Sequence, residues 1–463
     1  MNILVLNGSP KGENSVTLQT VRYLEKRFPD ETFSVLHVGQ RIKRIEKDFT
    51  EAEAALKDAD LLLFCYPVYT FLVPSQLHRF IELLKASGAD LSGKCAAQLS
   101  TSLHFYDITA HRFIRDNCDD LGLSYLGGLS ADMEDLLKER GRTEAEDFFR
   151  FLLWRKERGL SEPKRCAPKP FTPVPLSETA RPAMLSGGRV AVVADYDPEA
   201  DGPVRALVAR FLRIAPFETT LVNLREFPFA GGCLGCFQCA ASGACVYRDG
   251  FDAFLREKIQ SADAIVYAFR IADHSMGYRM KLYDDRQFCN GHRTVTMGKP
   301  VGYLISGPLS DEGNLQTVIE ARAEVGGNFL AGVATDERDP DAAIEALADT
   351  LRYAVDHAYR PPKSFWGVGG MKIFRDLIYQ MRGLMREDHR FYKKHGFYDF
   401  PQKRRGRIFG MYLVGAMMRS KRLSKKLGGR MTEGMLMPYK KALETAEKRR
   451  SGAETADGNP SRT

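Results

Sequence analysis

Short apolar runs alternate with helix-like stretches in this chain, and the whole series occurs twice. The first set of apolar runs lies at residues 2–7, 33–38, 61–64 and 96–99, with helical periodicity between them at about 15–28, 51–57, 74–85 and 110–121. The second set lies at residues 190–194, 220–224, 264–269, 300–306 and 328–333, with a helix expected over 203–214. Strands that alternate with helices predict a doubly wound parallel sheet, so we expect two α/β domains in tandem.

Breaks in this rhythm give the expected domain boundaries. Prolines recur from Pro163 to Pro182 without apolar periodicity, which predicts a linker. Beyond about residue 360 no strand is expected. There, segments 373–384, 408–418 and 440–449 have a helical pattern, and residues 451–463 are polar enough for disorder. The expected organisation is a first domain at 1–157, a linker at 158–187, a second domain at 188–360 and a helical basic region at 361–463.

The positive charge of the chain is confined to its C-terminal region. Residues 361–463 contain 24 Lys and Arg against 9 Asp and Glu, a net charge of +15, whereas residues 1–360 contain 43 against 50, a net charge of −7. The expected domains are slightly acidic and lack zinc-finger, RNP and helix-turn-helix signatures, so nucleic acid is not an expected partner. The apolar run 408–418 between basic clusters could lie on an anionic membrane surface, or it could pack on the second domain.

The sequence has no features of a secreted or membrane-spanning protein. Residues 1–7 lack the charged and long apolar parts of a signal peptide, and no stretch of about 18 apolar residues occurs. A cytoplasmic location is therefore expected, where thiols are kept reduced. The nine cysteines are accordingly better interpreted as ligands, nucleophiles or core residues than as disulfides.

The turn after the first strand has the composition of a phosphate-binding loop. Residues 7–17 read Asn-Gly-Ser-Pro-Lys-Gly-Glu-Asn-Ser-Val-Thr. At this corner of an open α/β sheet, free backbone N–H groups and the helix dipole favour an anion. The hydroxyls of Ser9, Ser15 and Thr17 can donate to phosphate oxygens, and Lys11 adds a positive charge. A plain turn with Ser15 as N-cap is the alternative. Walker A and dinucleotide spacings are both missing.

A second motif follows the third strand, where residues 66–71 read Tyr-Pro-Val-Tyr-Thr-Phe and Val73-Pro74 come next. With the first loop, this P-x-Y turn resembles the NADPH-dependent FMN reductase family of the flavodoxin-like fold. In that family the first loop holds the FMN phosphate and the turn lies against the isoalloxazine ring; core aromatics are the alternative. The resemblance implies FMN-binding residues at Ser9, Lys11, Ser15, Val16, Thr17, Pro67, Val68 and Tyr69, with Ser100 and Thr101 of a third loop capping the flavin's polar edge.

Four cysteines fall within thirteen positions of the second domain. They are Cys233, Cys236, Cys239 and Cys245, flanked by glycines. Four thiolates at this spacing can converge on one inorganic centre, and the ferredoxin run C-x2-C-x2-C-x3-C is a close relative. Zinc remains open, although zinc sites usually pair two C-x2-C units, as does an unligated or redox-active thiol set. The spacing is similar to that of the iron–sulfur flavoproteins, which implies a [4Fe–4S] cluster. Further residues that resemble that family are Asp249, Met276, Lys281, Asp285 and Arg286.

The second domain departs from the FMN-binding pattern at both loops. Residues 195–202 carry four carboxylates where the phosphate loop should stand, and these would repel a phosphate. Residues 270–274 read Arg-Ile-Ala-Asp-His in place of P-x-Y. The second domain is therefore expected to have lost FMN, and the first domain has only scattered cysteines. His274 and Cys289 could lie near the cluster, although single residues of these types are more often structural.

These features predict a flavin- and iron–sulfur-dependent oxidoreductase similar to the NAD(P)H-dependent FMN reductases. FMN in the first domain would exchange electrons with a [4Fe–4S] cluster in the second, with NAD(P)H as a possible donor. The expected partners are small-molecule or protein electron donors and acceptors, and a homo-oligomer is possible. The alternatives are an NAD(P)H:quinone or nitro-compound reductase with a structural zinc, or a binding or scaffold protein without cofactors.

Overall fold

The computed structural model describes residues 1–165, 170–177 and 187–419, together with residues 436, 439, 440, 443 and 444. The chain divides into two compact units, residues 1–395 and residues 396–463. The first unit contains both predicted sheets and also the beginning of the basic region. The boundaries that the sequence indicates at residues 157, 187 and 360 stay a prediction.

The first half of this unit, residues 1–157, is built on a five-stranded parallel sheet with the order β2-β1-β3-β4-β5. Its strands are β1 Asn2–Asn7, β2 Thr32–Leu36, β3 Leu61–Pro67, β4 Cys95–Ser102 and β5 Ser124–Asp132. Its helices are α1 Val16–Arg27, α2 Val38–Ile45, α3 Thr50–Lys57, α4 Ser75–Ser87, α5 Asp107–Asp120 and α6 Glu139–Glu157. The central strands β1 and β3 are buried along nearly their whole length, as a parallel sheet covered on both faces requires.

The second half, residues 188–360, repeats this arrangement with the order β7-β6-β8-β9-β10. Its strands are β6 Arg189–Asp195, β7 Glu218–Asn223, β8 Ala264–Arg270, β9 Pro300–Ser306 and β10 Phe329–Thr335. Its helices are α7 Gly202–Ile214, α8 Gln238–Ser242, α9 Phe251–Phe254, α10 Gly277–Arg286, α11 Gly313–Gly326 and α12 Pro340–Asp356. Both sheets have the 2-1-3-4-5 strand order of the flavodoxin-like fold, which confirms the predicted tandem architecture.

The two halves share one hydrophobic core. A single cluster of buried residues runs from Phe64 and Phe80 of the first half to Ile265 and Tyr283 of the second. Helix α4, which follows the third strand of the first sheet, packs against α10, which follows the third strand of the second. Separate clusters fill the outer faces of the two sheets. The halves therefore form one folded body.

The third strand of each sheet leads into a turn of the same backbone shape. In the first half, Thr70 and Phe71 have φ values of 43° and 70°; in the second, Asp273 and His274 have φ values of 51° and 60°. Each turn is closed by a reciprocal pair of backbone hydrogen bonds, at 2.8 and 3.0 Å and at 3.0 and 2.9 Å respectively. The repeat thus extends to a tight turn whose residues differ between the two halves.

In the continuously described part of the chain, three helices follow the second sheet: α13 Phe365–Gln380, α14 Arg386–Lys394 and α15 Arg405–Arg419. Helices α13 and α14, which we call the closing helices, belong to the first compact unit, and α15 belongs to the second. Most of the predicted helix 440–449 and the predicted disordered tail 451–463 lie outside the described residues. Within the described part of the chain, no helix combines the length and the apolar character that crossing a membrane requires.

Candidate functional site

The first loop is held open by the side chain of Asn7, which is fully buried at the end of β1. Its amide nitrogen donates to the carbonyl oxygen of Gly12 at 2.9 Å and lies 3.0 Å from the Nδ1 atom of His37. Its oxygen accepts from the backbone N–H of Ser9 at 3.2 Å. Gly12 has a φ of +56°, a conformation that glycine adopts without strain. These contacts shape the loop independently of any ligand.

The hydroxyl groups around this loop keep protons that they can donate. The Oγ atom of Ser15 accepts from the N–H of Leu18 at 3.4 Å, so Ser15 is the N-cap of α1, and its own hydroxyl proton is still available. The hydroxyl oxygens of Thr17 and Thr101 lie 2.5 Å apart, which uses one of their two protons. The N-cap interpretation and the phosphate-loop interpretation are therefore compatible.

The P-x-Y turn and the third loop form the adjacent side of the site. Phe71 is buried in the turn, with its ring 4.4 Å from the ring of Tyr106 and 5.1 Å from that of Phe105. Ser100 is fully buried and its hydroxyl lies 2.8 Å from the Nε2 atom of His111. The hydroxyl of Ser100 is therefore committed to the protein, whereas Thr101 faces the site.

The cysteine segment, residues 230–250, is anchored by a buried ion pair of the second half. The two guanidinium nitrogens of Arg286 donate to the two carboxylate oxygens of Asp249, both at 2.8 Å. Arg286 also donates to the carbonyl oxygen of Gly231 at 2.9 Å and lies against the rings of Tyr247 and Phe251. Burial alone would raise the pKa of Asp249, but Arg286 outweighs that effect and lowers the pKa to about 2.

The cysteine segment lies directly on the first half. The amide nitrogen of Gln76, at the start of α4, donates to the carbonyl oxygen of Cys233 at 3.2 Å. A Cβ atom at Gly235 would lie 2.1 Å from the hydroxyl of Tyr69, so that only glycine fits against the P-x-Y turn. The Lys11 ammonium lies 5.8 Å from the centre of the Phe237 ring. Each of the first two loops of the first half thus touches the cysteine segment.

Asp285, in α10 of the second half, binds the P-x-Y turn of the first half. Its two carboxylate oxygens accept from the hydroxyl of Thr70 at 3.1 Å and from the backbone N–H of Ser75 at 2.8 Å. Lys281 donates to this carboxylate and, at 2.8 Å, to the carbonyl oxygen of Tyr69. Burial raises the pKa of Asp285, against the opposing effect of Lys281. The second half therefore fixes the turn that faces the site in the first half.

All of these elements surround one cavity of about 310 Å³. Nine of the ten predicted FMN-binding residues line it, and Ser100 is the exception. These nine are Ser9, Lys11, Ser15, Val16, Thr17, Pro67, Val68, Tyr69 and Thr101. All four clustered cysteines, Cys233, Cys236, Cys239 and Cys245, line the same cavity, and so does Cys289. Residues predicted separately for a flavin and for an inorganic centre therefore face one space.

Cys233, Cys239 and Cys245 are half-buried. Burial raises the pKa of Cys233 to about 12 and that of Cys239 to about 11, while the backbone amides of Gly235 and Gly291 act in the opposite direction. Cys236 is the exposed member of the four. Among the described residues, which include all four, no three of these sulfurs lie within 4.8 Å of one another. A tetrahedral zinc ion, with Zn–S bonds of about 2.3 Å, needs sulfurs roughly 3.8 Å apart.

Helix α13 supplies a wall that the sequence did not predict. Ile373, Phe374 and Leu377 of this helix line the cavity, as does Met381 directly after it. The ring of Phe374 stacks on that of Phe105 at 4.4 Å. The sequence indicated a helix at residues 373–384 but not its place, because contacts between segments so far apart leave no local pattern.

The corresponding corner of the second half holds an internal ion network. Arg225 lies 3.3 Å from Asp195, 3.2 Å from Asp197 and 3.6 Å from Asp201. His274 lies in the turn after β8 and bonds to Asp120 and Glu312 rather than lining the cysteine cavity. Three of the four carboxylates of this corner are thus paired with one arginine of the protein itself.

Comparisons with known proteins find similarity over parts of this chain. Residues 1–112 match the family model of the NADPH-dependent FMN reductases. No curated protein sequence matches the chain. An NADH:FMN oxidoreductase structure is 19% identical, with 35% of this chain and 91% of that chain covered and a TM-score of 0.29. An NAD(P)H:quinone oxidoreductase from Methanothermobacter marburgensis is 15% identical, with 38% and 100% covered and a TM-score of 0.28. An FMN-dependent NADH-azoreductase from Bacillus anthracis is also 15% identical, with 32% and 96% covered and a TM-score of 0.26. The family match over residues 1–112 confirms the resemblance predicted from the first loop and the P-x-Y turn, and it supports an NAD(P)H-dependent flavin oxidoreductase of the FMN reductase type.

Proposed function

We propose that this chain is an NAD(P)H-dependent oxidoreductase that holds FMN and a [4Fe–4S] cluster in one cavity shared by its two halves. The observation that carries the proposal is the convergence of the phosphate loop, the P-x-Y turn and all four clustered cysteines on the same space. A flavin takes up two electrons and can release them singly, and an iron–sulfur cluster accepts one at a time, so the two groups together supply hydride-to-electron conversion.

The residues of the first half fit a flavin phosphate. The N-terminus of α1 offers backbone N–H groups that have no acceptor within the helix, and the hydroxyls of Ser15 and Thr17 and the ammonium of Lys11 lie beside it. Tyr69 and Val68 line the cavity next to this corner, where the family resemblance places the isoalloxazine ring. These side chains would bind and orient FMN without acting as acids or bases.

The residues of the second half fit a centre larger than a single metal ion. A four-iron cluster has each thiolate on a separate iron, so it does not need the sulfurs to lie within bonding distance of one atom. The C-x2-C-x2-C-x5-C spacing, close to the ferredoxin run, favours a cluster over the zinc alternative. Burial raises the pKa of Cys233 and Cys239, and the amides of Gly235 and Gly291, which oppose this effect, would donate to the thiolates once a cluster is bound.

The closing helices would keep water away from these groups. Ile373, Phe374 and Leu377 present apolar side chains to the cavity. Exclusion of water strengthens electrostatic interactions inside a site and limits side reactions of reactive groups. This arrangement argues against a scaffold protein without cofactors, because such a protein would have no need for a cavity that combines an apolar wall with four clustered thiols.

Anaerobic purification followed by flavin, iron, sulfide and zinc assays on one sample tests the proposal. We expect about one FMN, four irons and four sulfides per chain, and a yellow-brown colour. Cys236→Ser should lose iron and sulfide while it keeps FMN. Cys95→Ser, which alters a thiol outside the cavity, is the matched control and should keep all three. Stoichiometric zinc without sulfide would contradict the cluster and support the alternative of a reductase with a structural zinc. A colourless protein would overturn the whole proposal.

Location and partners follow from this chemistry as part of the proposal. A reduced cytoplasmic environment suits four free thiols, and the electron donor or acceptor would be a small molecule or a protein reaching the cavity. A homo-oligomer stays a prediction without further support.

A second role, contact with an anionic membrane surface, is favoured by the surface of α15. Its large apolar side chains are at least 36% exposed, including Phe409 at 65% and Tyr412 at 75%. From residue 400 to residue 432 the sequence contains ten Lys and Arg and no Asp or Glu. Apolar side chains flanked by basic ones bind anionic lipid surfaces.

Vesicle sedimentation with the full chain tests this role. Binding to phosphatidylserine vesicles should be strong at low salt, weak at high salt, and reduced by Arg404→Glu combined with Arg405→Glu and Arg407→Glu. No sedimentation with anionic vesicles at low salt would remove the membrane role and leave the oxidoreductase proposal unaffected.

A further inference from the structure

Three potential metal ligands meet where the two halves touch, apart from the cavity. His78 and Glu82 lie one turn apart on α4 of the first half, and Asp273 lies in the turn after β8 of the second. One ligand atom from each, a ring nitrogen or a carboxylate oxygen, lies within 4.8 Å of the other two. None of the three lines the cavity of the proposed cofactors.

His78 is buried without a hydrogen-bond partner. Its side chain is fully inaccessible, and neither ring nitrogen is hydrogen-bonded within the described part of the chain. The ring packs edge-on against Phe113 with 4.8 Å between the centroids. A buried polar atom without a partner costs roughly 1–3 kcal/mol, so a well-packed site that leaves two of them on one ring requires an explanation.

Burial lowers the pKa of His78 to about 4, against the opposing effect of Asp273. The ring is therefore neutral at physiological pH and offers a nitrogen lone pair, the form in which histidine binds metals. Its Nε2 atom is 3.9 Å from the Oδ2 atom of Asp273, too far for a hydrogen bond and suited to an ion between them.

The two carboxylates are held in place by other groups. Asp273 uses its Oδ1 atom to contact Lys85 at 3.0 Å, which leaves Oδ2 directed to His78. Glu82 accepts from the backbone N–H of Tyr278 at 2.8 Å and from Arg79 at 2.9 Å. Each ionised carboxylate oxygen has two lone pairs, so both groups can still bind a cation.

We propose that His78, Glu82 and Asp273 bind a divalent transition-metal ion that joins the two halves of the chain. One imidazole and two carboxylates suit Mn²⁺, Fe²⁺ or Zn²⁺, with water completing the coordination. Lys85 also contacts Asp120 at 2.6 Å, so this lysine keeps a partner when Asp273 turns to the ion. The ion would fix α4, whose first turn carries Ser75 and Gln76, the residues that contact Asp285 and Cys233.

Mn²⁺ binding followed by electron paramagnetic resonance tests the site in the metal-free full chain. Thiolates are soft ligands that do not favour Mn²⁺, so the cysteine segment does not compete. The unaltered chain should bind one Mn²⁺. His78→Gln and Asp273→Asn should each weaken binding by about tenfold or more. Asp120→Asn, which alters the same lysine's other partner, is the matched control and should leave binding within about twofold.

The melting temperature gives a second measurement that does not depend on enzyme activity. Saturating Mn²⁺ should raise the melting temperature of the unaltered chain and of Asp120→Asn, because a ligand that binds only the folded state stabilises it. It should not raise that of His78→Gln or Asp273→Asn. Absence of Mn²⁺ binding by the unaltered chain, or equal binding by both ligand variants, would overturn the proposal.

Discussion

The two halves of the molecule have the same strand order and the same turn after the third strand, yet they use these features differently. In the first half the corner after β1 carries hydroxyls and a lysine, and in the second it carries carboxylates bound to Arg225. The first half's P-x-Y turn faces the cavity, whereas Asp273 and His274 of the second half's turn contact the first half instead. The repeat therefore has the same backbone at the turn, while the side chains at both positions take separate roles.

The largest expected effect is a loss in the free energy of unfolding, and it compares Asp249 of the second half with Asn7 of the first. Asp249→Ala would leave Arg286, whose side chain is 1% exposed, buried without its carboxylate partner. Breaking a buried pair in this way costs about 3–5 kcal/mol of the free energy of unfolding. Asn7→Ala, which removes neutral hydrogen bonds in the first half, should cost about 1–3 kcal/mol.

Urea denaturation of both variants measures this difference. Glu144→Ala breaks an ion pair with Arg140, which is 88% exposed, and should cost less than about 1 kcal/mol. If Asp249→Ala cost no more than this control, the cysteine segment would not depend on its ion pair.

The next largest expected effect concerns His274, which lies where the two halves touch. Its pKa is raised, whereas the pKa of His78 at the same contact is lowered. Burial alone would lower the pKa of His274, but Asp120 and Glu312 outweigh it and raise the pKa to about 9. Arg165 lies 3.0 Å from the same ring. A folded-state pKa above the unfolded value of about 6.5 stabilises the fold fully below pH 6.5, and this stabilisation is lost as the pH rises through 9.

The free energy of unfolding, measured from pH 6 to pH 10, checks the direction of this pH dependence. The unaltered chain should lose on the order of 3 kcal/mol over this range from His274 alone. His274→Gln should be less stable at pH 6 and should show a correspondingly flatter pH dependence. A variant whose pH profile paralleled that of the unaltered chain would show that His274 is not the group that titrates.

The substitution Ser15→Asp gives the corner after β1 a carboxylate, like those in the corresponding corner after β6. Aspartate is as good an N-cap as serine, so α1 should remain intact while a carboxylate replaces the hydroxyl beside the proposed phosphate. We expect FMN affinity to fall by about 100-fold, the effect of losing a charge-assisted hydrogen bond and adding repulsion. Fluorescence titration with FMN measures it, with Thr143→Asp on the exposed face of α6 as the control. Unchanged affinity would place the phosphate elsewhere.

The smallest expected effect is the difference in stability cost between alanine substitutions at two glycines with positive φ. Gly277, after the second half's turn, has a φ of +73°, and a methyl carbon added there would have no neighbouring atom closer than 3.7 Å. Gly277→Ala should therefore cost about 1 kcal/mol for the backbone alone. Gly235→Ala should cost more, about 2 kcal/mol, because the methyl group would meet the Tyr69 hydroxyl at 2.1 Å. Denaturation of Gly235→Ala combined with Tyr69→Phe should recover part of this excess, and equal costs at both glycines would contradict the close contact.

The fold could be predicted from the sequence because each central strand is a buried apolar run with a clear helix after it. Strand β5 was missed because Gly127 and Gly128 interrupt its apolar pattern at the edge of the sheet. The candidate residues of the loops could be identified because phosphate and metal sites need particular side chains at short spacing. Their convergence could not, since it depends on how α4 and α10 pack, a contact between residues about 200 positions apart.

The role of individual residues within a motif was also beyond the sequence. Ser100 has the same kind of side chain as its neighbours, but its hydroxyl lies against the His111 ring in the interior. Asp285 was noted through the resemblance to iron–sulfur flavoproteins, but its contact with Thr70 and Ser75 of the other half depends on the interface. Side-chain direction is set by the completed core, and local patterns do not record it.

The cavity is walled on one side by residues near the start of the chain and on the other by residues beyond position 230, all joined covalently. A site shared between separate subunits falls apart on dilution, but here the two walls remain at a fixed, high effective concentration. Each chain likewise carries one phosphate corner and one set of four thiols, so their ratio does not depend on the assembly of subunits. The proposed site should therefore hold the same amount of flavin and iron per chain at nanomolar and at micromolar protein.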